Sequence, residues 1–496
     1  MGIPQERLNT AKPTHDWLRS IRVAFVPGPM TPMLEELVKG TRERFSALRH
    51  TVEEQPTDDT DVLFTTATLG ESISWRKAML FSARRQFGLK KSPVAYTFIQ
   101  ATPQQFSEWL AHFEQALAKT RPDPEDFQFD GLSPRAHRVL IEQGTRGGPI
   151  LAFLRMVQAQ SKCIHVLLAV GEEHPERVYH FDLVGAYPAS EADDPDAFYT
   201  DLVLRVVTTT STQEITNHQV VDERIEREQW QGLSTPEAMR RAGQELGDRN
   251  FFTEMVRIED LVHVPVVNDS VASQYSEGCF ATWDARVDGL IATVTGSARP
   301  VDKGNITDDD LAVIVGVRAD GGGAIVRHVE GKRNDPPSSE AVEMMDMDEL
   351  LPRIKHDSIA GVTKDVPVVR SKLHGHRGVR SYNPALVEYV PLEAPYYHYL
   401  VSCATAAQAR GIKEAFSRVE SLRNPDDPRQ AAFTVLPGHG LVVVEKWQSD
   451  KAPFQLLWEF MDTGDLVIDS HVPQGPMHYE QDADGHMHLR EQEVPL

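Results

Sequence analysis

Apolar residues recur along this chain with two periods, and the switching between them organises its first 119 residues. IRVAFVPG (residues 21–28) reads as a short buried strand, and PMLEELVKGTRERFSALRH then places apolar residues at helical spacing. TDVLFTTATLG is a second strand that ends in small and hydroxyl residues. SWRKAMLFSARRQFG follows as a helix closed by Gly88. SPVAYTFIQAT is a third strand and PQQFSEWLAHFEQALAKT a third helix, with Pro103 suited to its first turn. Strands separated by helices of this length predict a parallel, doubly wound sheet. Ligands of such sheets bind beyond the carboxyl ends of the strands. Thr65, Thr66, Thr68 and Ser72 stand there and suit either a hydroxylated or phosphorylated group or ordinary turn and capping work. Neither GxGxxG nor GxxxxGK[ST] occurs, which excludes a dinucleotide fingerprint and a P-loop.

The proline- and acid-rich TRPDPEDFQFDG (residues 120–131) marks a boundary. Beyond it, PRAHRVLIEQG and GPILAFLRMVQAQSK read as helices. KCIHVLLAVG, RVYHFDLVGAYP and TDLVLRVVTTTSTQEIT follow as consecutive strands, and TPEAMRRAGQELG and FFTEMVRIEDLVH return to helical spacing. From about residue 264 strand patterns dominate, with AAQARGIKEAFSRVESL as the interrupting helix and QDADGHMHLREQEVPL as a tail expected to fray. The expected organisation is an α/β protein in three parts. These are an N-terminal doubly wound α/β domain (1–125), a mixed α+β middle region (126–263), and a β-rich C-terminal domain (264–496), barrel-like or a mixed sheet.

At 496 residues, with 73 acidic against 51 basic side chains and a formal net charge of -22, the chain is long enough for several cores. The charge argues against a nucleic-acid or anionic-membrane surface, which needs clustered Lys and Arg. No 18-residue apolar run exists, so no membrane-spanning segment is expected. Three well-separated cysteines (Cys163, Cys279, Cys403) and an N-terminus without an apolar core fit a reducing, cytoplasmic setting. The many strands leave edges that a homo-oligomer would cover.

Chemistry concentrates in two stretches. SEGCFATWDARVDG and GSARPVDKGN place Glu277, Asp284 and Asp302 around one strand region, where carboxylates can converge on a divalent ion. Cys279 lies among them, and Asp308–Asp310 read as a turn. VRSKLHGHRGVRSY carries His374 and His376 two residues apart on a strand, so both imidazoles share a face, with Arg377 and Arg380 beside them. His439, between two glycines in PGHGLVVVEKW, begins a further strand, and His328 is another eligible histidine. Trp283 and Trp447 suit sugar stacking or core packing.

The order of parts, with Glu277 in SEGCFATWD, Asp302 in RPVDKGN and His439 in LPGHG, resembles the L-fucose/L-arabinose isomerase superfamily. That resemblance implies an aldose–ketose isomerase acting on a small polyhydroxylated substrate through an enediolate. It implies manganese held by Glu277, Asp302 and a late histidine (His439, or equally His374 and His376), with Arg377 orienting the substrate. Two other readings stay open: a metal-dependent hydrolase or lyase built on His374 and His376, and a non-catalytic homo-oligomeric binding protein.

Overall fold

The computed structural model describes residues 20–68, 93–108, 164–212, 218–252, 278–295, 301–393 and 405–490, with short internal breaks, together with residues 87 and 89. The helix expected over residues 74–88, apart from residue 87, and those expected between 134 and 162 lie outside the described residues, as do Glu277, Cys163 and Cys403.

The first sheet contains β1 (Arg22–Phe25), β2 (Thr51–Glu53), β3 (Val62–Thr68), β4 (Val94–Ala101), β5 (Ile164–Val170), β6 (Arg177–Asp182) and β7 (Gly185–Ala189). Their order is β2-β1-β3-β4-β5-β6-β7, parallel through β5 and antiparallel at β6 and β7. This is the expected doubly wound arrangement, with the strand order reversing beside β1. Helix α1 (Pro32–Ala47) connects β1 to β2. Thr31 caps it by accepting the Leu34 N–H at 3.3 Å, Pro32 fills the first turn, and Met33, Leu34, Leu37, Thr41 and Phe45 form its buried stripe.

One expected strand is a helix. TDLVLRVVTTT belongs to α2 (Pro195–Thr212), in which Phe198, Tyr199, Leu202, Val203, Val206 and Val207 join the core that α1 also buries. Its β-branched residues cost only tenths of a kcal/mol each in helix propensity, whereas each buried valine or leucine returns about 1.5–3 kcal/mol. The Thr200 and Thr210 hydroxyls donate to the Asp196 and Val206 carbonyls one turn back, at 2.7 and 2.6 Å.

The second sheet has nine strands: β8 (Gln219–Ile225), β9 (Cys279–Asp284), β10 (Gly289–Thr293), β11 (Leu311–Val317), β12 (Ala324–Val329), β15 (Val369–Gly375), β17 (Val387–Tyr389), β18 (Ala431–Leu436) and β19 (Gly440–Lys446). Their order is β17-β18-β19-β15-β9-β10-β11-β12-β8, antiparallel except for the outermost pair at each side. Among the described residues it is an open mixed sheet with β8 and β17 as edges, and not a closed barrel. Segment 126–263 thus supplies β5–β7 and α2 to the first sheet, and β8 and α3 (Thr235–Asp248) to the second.

Both faces of the second sheet are buried. One packs Phe280, Ile291, Leu373 and Val443 against α3 and α6 (Gln455–Thr463). The other carries Cys279, Ala281, Val442 and Val444 and is covered by α4 (Ala341–Asp346) and α5 (Ala406–Phe416).

The hairpin β13 (Arg353–Asp357)–β14 (Thr363–Pro367) and a sheet ordered β20-β16-β22-β21 complete the described strands. The latter comprises β16 (Gly378–Tyr382), β20 (Leu466–Asp469), β21 (His478–Gln481) and β22 (Met487–Arg490). The tail expected to fray is therefore a hairpin as far as Arg490. Asp482 accepts the Asp484 and His486 N–H groups in its turn, at 2.9 Å each, and Tyr479 packs against Tyr382, Tyr389 and Phe433. No helix among the described residues is long and apolar enough to cross a membrane.

Candidate metal centre

β15 ends with Lys372, His374 and then His376 just beyond it, all pointing to the face covered by α4. In the antiparallel ladder His374 stands opposite Cys279 of β9 on one side and Val442 of β19 on the other. The β18–β19 turn, closed by the His439 N–H on the Leu436 carbonyl at 3.0 Å, delivers the third imidazole to the same end of the sheet. Backbones come very close here. A Cβ on Gly440 would stand 2.1 Å from the Gly375 carbonyl oxygen. Gly278, at φ +82°, has its Cα so placed that a Cβ would meet the His374 carbonyl at 2.5 Å.

Onto this corner α4 sets its N-terminal end. Glu340 is its N-cap and Glu343 lies in its first turn, and both are buried. Glu340, His374, His376 and His439 each offer a ligand atom, all within 4.8 Å of one another. Glu340 Oε1 lies 3.0 Å from His374 Nε2 and 3.6 Å from His439 Nε2. These separations bracket the roughly 3.4 Å edge of a tetrahedron drawn with bonds of about 2.1 Å. The three rings stand at 5.0–5.9 Å between centroids. Both ring nitrogens of His374 and of His439 are buried without a hydrogen bond of good geometry. Buried polar atoms in that state call for a binding partner such as an ion. The buried cluster of one glutamate and three histidines can therefore bind a divalent metal ion, its imidazole and carboxylate donors suiting a borderline first-row cation.

A second layer adjoins the first. His374 turns Nδ1 toward Glu343 Oε1 at 3.6 Å, and Gln408 of α5 donates to Glu343 Oε2 at 2.7 Å. That His374–Glu343 separation is longer than a hydrogen bond, so Glu343 stands beside the ring as a neighbouring carboxyl, while Nε2 faces Glu340. Cys279 Sγ lies 4.0 Å from Glu340 Oε2 and 3.9 Å from Met344 Sδ.

The electrostatics follow from crowding charges away from water. Burial opposes charge on Glu340, but His374 and His439 hold its carboxyl well below the usual range. Burial would lower His374, yet Glu340 and Glu343 beside it raise it. Burial pushes Glu343 up, aided by Glu340. His376 and His439 are lowered, chiefly by burial. Burial with the two neighbouring carboxylates lifts the Cys279 thiol well above its ordinary value, so it sits as a neutral thiol.

Of the residues expected from sequence, the fold brings together His374, His376 and His439. Asp302 is used elsewhere: it caps a short 3-10 turn, accepting the Gly304 N–H at 2.9 Å and the Asn305 amide at 2.7 Å. Glu277 lies outside the described residues, directly before Gly278 in the chain. Arg377 donates to the Asn250 carbonyl. Asp284 accepts the Thr235 hydroxyl at 2.7 Å and the Arg286 N–H at 2.8 Å. His328 lies on β12 near Arg224 and Lys332, and Trp283 and Trp447 pack into the core. Asp310 closes a capping box with Thr307, while Asp308 pairs with Arg240. Glu340 and Glu343 were not singled out from sequence. The available signal was PPSSEAVEMM, a turn followed by apolar residues at helical spacing with acids in the first turn.

No protein-family model matches the chain, and no curated protein matches it either.

Proposed function

We propose that this protein is a divalent-metal-dependent enzyme of the hydrolase or lyase type, acting on a small oxygenated substrate. The ion is held by His374, His376, His439 and Glu340. The observation that carries this reading is the convergence of His374 and His376, the distant His439 and one ionised glutamate at a single buried corner. These four residues would hold the ion, which when bound would supply Lewis-acid polarisation of a carbonyl or similar group. The chain's own contribution is placement, with Gln408 fixing Glu343 beside the His374 ring, and exclusion of water, since all four donor residues are buried. Three imidazoles to one carboxylate shift the preferred ion from manganese toward iron, zinc, cobalt or nickel.

The aldose–ketose isomerase reading is the second proposal. It rests on the resemblance, in which Glu277, the residue before Gly278 in the chain, would move the substrate proton. Asp302, committed to its capping bonds, weighs against the ligand set that reading requires. Elemental analysis of chelator-free protein, with the His374→Ala and Glu277→Gln variants, separates the two. The hydrolase or lyase reading expects one metal per chain, lost in His374→Ala and kept in Glu277→Gln. Loss of metal in Glu277→Gln alone would favour the isomerase. Absence of metal in every preparation would sink both.

A further inference from the structure

β15 carries one more charged side chain on the face of its histidines. Lys372, two residues before His374, is completely buried, and its ammonium lies 2.5 Å from Asp348 Oδ2, itself only 7% exposed. The same ammonium donates to the Met344 carbonyl in the last turn of α4. Met344 stands one turn beyond Glu340, and Asp348 lies in the 3-10 turn that continues the helix (Met347–Leu350). Helix α4 is six residues long, about 9 Å at 1.5 Å per residue. It packs over β11 and β9, and side chains of β15 reach both its ends. Its N-terminal acids meet His374, and its C-terminal carbonyl and the following aspartate meet Lys372.

A buried ion pair is a poor way to stabilise a fold, because desolvating both charges offsets most of their attraction, and an apolar pair of similar volume serves as well or better. What such a pair supplies is a fixed geometry. We propose that Lys372 and Asp348 are positioning residues for the metal centre, fixing where α4 sits on the sheet so that Glu340 and Glu343 face His374. This inference rests on the metal-binding reading above. A helix this short has little stability of its own, so its placement depends on such ties. A slip of one residue would turn Glu340 about 100° away from the imidazoles.

The test uses the full chain, stripped of metal and titrated with Co(II) against a competing chelator while the visible absorption of the bound ion is followed. The Lys372→Met/Asp348→Leu double variant replaces the pair with apolar side chains, and Asp348→Asn keeps the shape while removing one charge. The double variant is expected to unfold at a temperature no lower than the wild type. It should bind Co(II) about 10–100-fold more weakly, the usual effect of losing a ligand's support, with an altered absorption envelope. Asp348→Asn is expected to show a smaller loss in the same direction, and it decides the matter if the double variant does not fold. Wild-type affinity and an unchanged spectrum in the folded variants would overturn the positioning role while leaving the metal site standing. A wild-type chain that takes up no cobalt would overturn the metal reading, and this inference with it.

Discussion

Glu445 offers the cleanest test of how this sheet handles buried charge. It lies on β19 six residues after His439, on the face opposite the histidines and under the start of α6. Its Oε1 accepts the Phe454 N–H at 2.5 Å and its Oε2 the Leu457 N–H at 3.4 Å. Burial raises its carboxyl from the ordinary 4.5 to about 7, against the pull of Ser371, the two N–H groups and Arg370. The folded state therefore prefers the protonated acid. The stabilising contribution is fully present below pH 4.5 and is lost as pH rises through about 7. A shift of roughly 2.5 units at 1.36 kcal/mol each amounts to about 3 kcal/mol between pH 4 and 9. Glu445→Gln keeps the shape and one acceptor but gives up the weaker bond to Leu457, a cost of about 1 kcal/mol. Urea unfolding of both proteins at pH 5, 7 and 9 isolates this group, because every other titration is common to the pair. The two proteins should be nearly equal at pH 5, where about 0.8 kcal/mol of the wild-type contribution has already gone, and the variant should be the more stable by about 2 kcal/mol at pH 7 and pH 9. A stability difference that stays constant across that range would refute the reasoning.

Three further outcomes are expected. Glu340→Gln removes the anionic donor without changing its shape, and should weaken Co(II) binding by more than the roughly 10–100-fold typical of supporting residues, read in the same chelator competition. His374, raised by its two carboxylates against the effect of burial, must be neutral to ligate. Metal binding near neutral pH should therefore release protons, and affinity should increase with pH, checked by calorimetry in buffers of different ionisation enthalpy. Gly440→Ala drives a Cβ to 2.1 Å from the Gly375 carbonyl oxygen and should cost at least 1–3 kcal/mol, roughly the scale of overpacking, in urea unfolding.

The sequence carried the first sheet well because each β–α alternation there is local: β1, α1, β3 and β4 sit on patterns that periodicity alone can detect. It misled at α2, where a valine- and threonine-rich run suggests a strand but repeats its buried positions every three to four residues. In such a segment burial against α1 outweighs propensity. The hairpin of β21 and β22 was obscured for a different reason. Its stabilising contacts, Tyr479 against Tyr382 and Phe433, cross about a hundred and about fifty residues of chain and leave no trace in the local polar pattern.

The candidate site divides along the same line. His374 and His376 were legible because a strand puts residues two apart on one face, and His439 because glycines bracket it at a strand start. What placed the three together is the order β19-β15-β9, in which His374 stands between Val442 and Cys279. No periodicity encodes which strands become neighbours. Glu340 was hidden more deeply, since it caps a helix of only six residues behind a proline pair, too short to announce itself by hydrophobic pattern. That brevity is also why its position has to be imposed from outside. The helix presents Glu340 to the histidines because Lys372 grips its far end and Gln408 grips Glu343. The least legible of the four candidate donors is thus the one whose geometry depends most on buried polar ties, and variants at those ties are where metal affinity and fold stability are expected to separate.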